Sequence, residues 1–112
     1  MDSTNIQILN LGIKNRLVLL QILPAKGNIS DMVEVMDLAK ELKLTDEEKE
    51  KIEYKEDENL NFYWNPDKEH IKEIKLNSDK VKILKNTIDI LDKENNISIA
   101  LLDLALEIKN LK

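Results

Sequence analysis

The sequence predicts an α+β domain in which about five helices pack with a small antiparallel sheet, itself a β-hairpin plus one or two short strands. Three observations carry that class. Apolar residues recur at helical spacing in several stretches and alternate with polar ones in another, and Ser, Thr and Asn stand where the helical stretches begin. The chain also has only two glycines and two prolines to interrupt them. At 112 residues, 42% hydrophobic and 35% charged, the length suits a single domain spanning 1–112. Such a domain can bury enough surface to fold without a metal or disulfide staple.

Ile6, Ile8, Leu9 and Leu11 suggest a short strand ending near Gly12. Asn15 is the expected cap of a first helix, in which Leu17, Val18, Leu19, Leu20, Ile22 and Leu23 are apolar on most faces, placing it at the centre of the core. Pro24 and the turn Lys26-Gly27-Asn28 end it. Ser30 is the expected cap of a second helix, with Asp31 in its first turn and Met32, Val35, Met36, Ala39 and Leu42 along one side. Thr45 with Glu48 three residues on makes a capping box for a short third helix whose only apolar member is Ile52.

From Ile52 the period changes to two. Ile52 and Tyr54, a turn at Asp57-Glu58-Asn59, and then Leu60, Phe62 and Trp64 alternating with Asn61, Tyr63 and Asn65 read as a β-hairpin. Alternation turns Phe62 and Trp64 inward and Tyr63 outward. Asn65-Pro66-Asp67 ends the hairpin, and Ile71, Ile74 and Leu76 allow a further strand beside the hairpin or the N-terminal strand. Asn77 or Ser78 caps a fourth helix with a stripe of Val81, Leu84, Ile88 and Leu91, which Asn95-Asn96 stop. Ser98 caps a fifth, where Leu101, Leu104, Ala105 and Ile108 form one face and Ile99, Leu102 and Leu106 another. One face suffices for the core, so the second is either sandwiched in the domain or the contact for a second copy of the chain.

The net charge of −5 is concentrated. Between Thr45 and Glu58 eight acids (Asp46, Glu47, Glu48, Glu50, Glu53, Glu56, Asp57, Glu58) outnumber three lysines, and the remaining residues carry 14 charges of each sign. This acidic pole decides a question the element order raises. Three helices followed by a hairpin are compatible with a winged-helix topology, but there the third helix and the hairpin tip meet DNA and must be basic. Here both are acidic, which makes a DNA-binding regulator the third choice and argues against direct nucleic-acid binding.

The chain's other chemistry is sparse. It has no cysteine, which excludes a thiolate metal site and a cysteine nucleophile. MDSTNIQILN lacks the pattern of a signal peptide, and no apolar run approaches a membrane span, so a cytoplasmic protein without membrane contact is expected. His70 is a lone histidine in a hydrophilic loop with no constellation around it, and is read as a solvated imidazole. Ser30, Thr45, Ser78 and Ser98 are accounted for as helix caps. With glycine only at Gly12 and Gly27, phosphate-cradling loops are absent. Neither an enzyme nor a cofactor is expected.

Three segments carry a resemblance: Leu20-Gln21-Ile22-Leu23-Pro24, Phe62-Tyr63-Trp64-Asn65-Pro66, and the paired C-terminal helices. From Arg16 to Ile108 the chain resembles small prophage-encoded proteins of Gram-positive bacteria. That resemblance implies a protein acting by binding other proteins, and supplies no functional residue. The expected function is therefore a non-catalytic protein-interaction module, with an acidic nucleic-acid mimic that inhibits a DNA- or RNA-handling protein as the alternative. Candidate contact residues are Glu47, Glu50, Glu56, Asp57 and Glu58 at the acidic pole, Tyr63 on the hairpin, and Leu102 and Leu106 on the last helix.

Overall fold

The computed structural model describes residues 6–59 and 61–112; Leu60, expected in the hairpin, lies outside the described residues. Strand β1 (Gln7–Leu11) leads straight into helix α1 (Ile13–Ile22), followed by α2 (Ile29–Leu42) and the short α3 (Asp46–Lys51). Strands β2 (Lys55–Glu56) and β3 (Phe62–Tyr63) precede a 3-10 turn at Pro66–Lys68, strand β4 (Lys72–Leu76), α4 (Ser78–Lys93) and α5 (Ile99–Lys109). The class is α+β, with four helices of ten residues or more and one of six.

Helices α1 and α4 each pack on both α2 and α5, so the four long helices close on one another. β1 and β4 pair antiparallel, Leu9 opposite Ile74, and turn Leu9, Leu11, Ile74 and Leu76 onto the helices. These residues join Leu19, Leu38, Leu42, Leu84, Ile88, Leu104 and Ile108 in one aliphatic core. Period-two geometry sends the alternate residues Ile8, Asn10, Glu73 and Lys75 to the outer face, where they are exposed.

β2 and β3 form a separate two-stranded sheet rather than joining the first. In a winged helix the hairpin shares a sheet with the earlier strand; here β1 takes β4 instead, so the topology departs from that pattern. The aromatic side chains follow the same division. All four in the chain lie between Tyr54 and Trp64, and none enters the main core. Tyr54 and Phe62 stack at 6.0 Å between ring centres, and the Lys49 ammonium lies 5.3 Å from the Tyr54 ring.

Several local expectations shift by a few residues, each for a visible reason. Helix α1 begins at Ile13 with Gly12 as its cap, not at Asn15, because β1 ends at Leu11 and the chain turns directly into the helix. Its core contacts come from Ile13 and Leu19, while Val18, Leu20 and Ile22 are half-buried. In α2 the cap is Asn28, whose Oδ1 accepts the Asp31 N–H at 2.7 Å, so Ser30 lies inside the helix. The buried face of the helix includes Leu38 and leaves Met36 exposed, because α2 packs on both α1 and α4. Asn77, rather than Ser78, caps α4 by accepting the Lys80 N–H, and Ser98 caps α5 as expected. Asn95 ends α4 with φ of 59°, the left-handed geometry that asparagine tolerates.

Leu38 is fully buried where the sequence stripe did not place it. Leu38→Ala should lower the unfolding free energy by about 2–5 kcal/mol in urea denaturation. A loss below about 0.5 kcal/mol, the range of ordinary surface substitutions, would contradict this packing.

Candidate functional site

Among the described residues, Glu48 links more elements than its own helix, through four hydrogen bonds to its carboxylate. As the third residue of α3 it completes the capping box, accepting the Thr45 N–H at 3.0 Å while Thr45 Oγ1 accepts its own N–H at 3.1 Å. The same carboxylate accepts from Arg16 Nη1 at 2.6 Å and Nη2 at 3.1 Å, and lies 2.8 Å from His70 Nε2. Arg16, the one arginine, is fully buried on α1 and also donates to the carbonyls of Leu42 and Lys43 at the end of α2. The guanidinium thus satisfies α2's terminal carbonyls and α3's first-turn carboxylate together. His70 is therefore half-buried and engaged, not the free solvated imidazole the sequence suggested.

Hydrogen bonds from Arg16 hold the Glu48 carboxyl far below its ordinary value of 4.5, outweighing burial, and the Thr45 N–H and His70 act in the same direction. The group is ionised in the native state and its bonds are structural. Sequence reasoning missed this node. A trace existed in the placement of the lone arginine inside an otherwise apolar helix, but the distance of 32 residues to Glu48 hid the partner.

The acidic pole divides once its bonds are drawn. Glu47 and Glu50 are exposed on α3, where with Asp46, Lys49, Glu53, Tyr54 and Lys55 they line a wide, open depression. Glu53 bonds Lys68 Nζ at 3.1 Å and Asn65 Nδ2 at 3.3 Å, and Lys68 chiefly lowers its pKa. Asp57 belongs to the hairpin turn. Its Oδ1 accepts the N–H groups of Asn59 and Asn61, while Oδ2 accepts Asn61 Nδ2 and the Tyr63 hydroxyl at 3.1 Å. Those bonds, the Asn61 N–H first, lower its pKa. Glu56 and Glu58 remain exposed. Tyr63 faces outward with its hydroxyl committed to Asp57, and shares a shallow crevice with Phe62, Trp64, Pro66 and Glu69.

The expected contact residues on α5 lie on another element. Leu101, Leu104, Ala105 and Ile108 are buried against α4 and α1, and the opposite stripe stays in solvent: Ile99 93% exposed, Leu102 45% and Leu106 51%. Helix α5 is therefore not sandwiched within the domain. Among the described residues no group of three or more His, Cys, Asp or Glu is placed to hold a metal ion, and no helix is long and apolar enough to cross a membrane.

No family model matches the chain, and comparison with curated proteins and with solved structures finds no match either.

Removing the Glu48 carboxylate leaves the Arg16 charge buried without its counterion. Glu48→Ala should cost about 3–5 kcal/mol in urea denaturation at neutral pH. Because the folded pKa is depressed, the carboxylate's contribution is complete above the unfolded value of 4.5 and is lost as pH falls below it. The wild type should therefore lose stability faster than the variant as pH falls below 4.5. Parallel stability curves for the two proteins would contradict the assignment.

Proposed function

We propose that the protein is a non-catalytic protein-interaction module of the kind small phage proteins provide, and that it docks a partner protein on the outer face of α5. The observation that carries this reading is the exposure of Ile99, Leu102 and Leu106 on a helix whose other face already completes the core. An apolar stripe left in solvent gains free energy by being covered, and three side chains at helical spacing fit an apolar groove or a second helix. Self-association through this helix would use the same stripe.

The side chains that could perform chemistry have structural work instead. His70 bonds Glu48, Thr45 and Ser98 cap helices, and Asp57 closes a turn. We read the role as non-catalytic and cytoplasmic, as part of the same proposal. The nucleic-acid mimic draws less support. Glu48, Glu53 and Asp57 are engaged within the fold, and the exposed Asp46, Glu47, Glu50, Glu56 and Glu58 are interspersed with Lys49, Lys51 and Lys55. That pattern lacks the unbroken negative charge of a phosphate backbone.

Leu102→Lys with Leu106→Lys should keep the wild-type circular dichroism and abolish stoichiometric capture of the partner from the native host. Reversing Glu47, Glu50 and Glu56 should leave capture intact. Asp57 is excluded from that set because its reversal would open the hairpin turn. Capture that survives the α5 substitutions and is lost on charge reversal would replace this reading with the acidic mimic.

A further inference from the structure

The sheet of β1 and β4 has only two strands, so each strand keeps one edge without a strand partner among the described residues. The two edges are built differently. β4 carries Lys72, Glu73 and Lys75, and charges of this kind discourage another strand from adding there. β1, with the sequence QILNL, has no charged residue and no proline, and Ile6 precedes it. Its outer face holds Ile6 and Ile8 at 48% and 49% exposure. An unguarded apolar edge is a template for strand addition, and a two-stranded sheet gains markedly from a third and fourth strand.

We propose that β1 pairs antiparallel with β1 of a second copy, joining two sheets into one of four strands in the order β4, β1, β1, β4. A two-fold axis perpendicular to the sheet keeps inner faces inner, so residues of the same parity meet across it. With the axis at Ile8, Ile8 meets Ile8 of the second copy and Ile6 meets Asn10; with the axis at Leu9, Ile8 meets Asn10. Every cross-strand pair in either register is uncharged, so the chain's net charge of −5 places no like-charge pair along the seam. This assigns self-association to the sheet edge and leaves α5 free for the partner protein. It rests on β1 alone and is independent of the α5 reading.

Sedimentation at micromolar concentration tests it. The wild type should sediment at about twice the 13.0 kDa chain mass. Ile8→Lys with Asn10→Lys, which sets lysine against lysine or lysine against isoleucine along the seam, should sediment at 13.0 kDa with unchanged circular dichroism, since both positions are exposed and, within the chain, the new lysine opposite Lys75 is offset by the one opposite Glu73. The Leu102→Lys, Leu106→Lys variant should remain at twice the mass. A monomeric wild type, an edge variant that stays dimeric, or a dimer lost only in the α5 variant would each overturn the proposal. Should the edge variant fail to fold, amide exchange of the wild type decides: β1 amides directed away from β4 should exchange more slowly as concentration rises, and no change would overturn it.

Discussion

A guanidinium fully removed from water has to find counter-charge and acceptors within the fold, and at Arg16 it finds both. Two bonds reach the Glu48 carboxylate and two more reach the carbonyls of Leu42 and Lys43. Since Glu48 also caps α3 and meets His70, this one cluster fixes α1, the end of α2, the start of α3 and the approach to β4 relative to one another. Lysine could not replace arginine there, because a single ammonium cannot reach two carbonyls and both carboxylate oxygens in one plane. Most of the exposed ion pairs, such as Lys68 with Glu53, contribute far less. A part-buried pair, Lys80 with Glu34 at 2.6 Å, joins α4 to α2 and complements the node.

Around that node the molecule divides its labour. The four long helices and the β1–β4 sheet share an aliphatic core without an aromatic ring. Segment 45–69, by contrast, gathers every aromatic residue and the whole acidic imbalance. There the Tyr54–Phe62 stack, the Asp57 turn and the Trp64 N–H bond to Glu69 at 2.9 Å stabilise a hairpin too short to hold by backbone pairing alone. Three of the eight acids at this pole, Glu48, Glu53 and Asp57, serve to hold the segment's own shape, and the other five stay exposed. The apolar surface left over on α5 and along β1 has no such internal use, and both proposed contacts rest on it.

The class, the element order and the inward faces of β4, α4 and α5 were legible because each is written in local periodicity. Thr45 and Ser98 were legible as caps for the same reason, since capping spans only three residues. The start of α2 was not, because Asn28 and Ser30 are both good caps and the local sequence does not choose between them. Pairing of β1 with β4 joins segments more than 60 residues apart, and nothing local distinguishes it from pairing with the hairpin. On the candidate sites, the exposure of Leu102 and Leu106 was one of two outcomes the sequence allowed. The commitment of Asp57 and His70 to internal bonds was invisible because it depends on side-chain positions in three dimensions.

A double-mutant cycle on Arg16→Met and Glu48→Met tests most directly whether this buried pair organises the fold. Each single substitution strands one charged partner, whereas the double removes both charges together. Urea denaturation should show the double variant losing less stability than the two single losses combined, with a coupling above about 1 kcal/mol. Losses that add to within about 0.5 kcal/mol would show two independent surface-like residues and contradict the account.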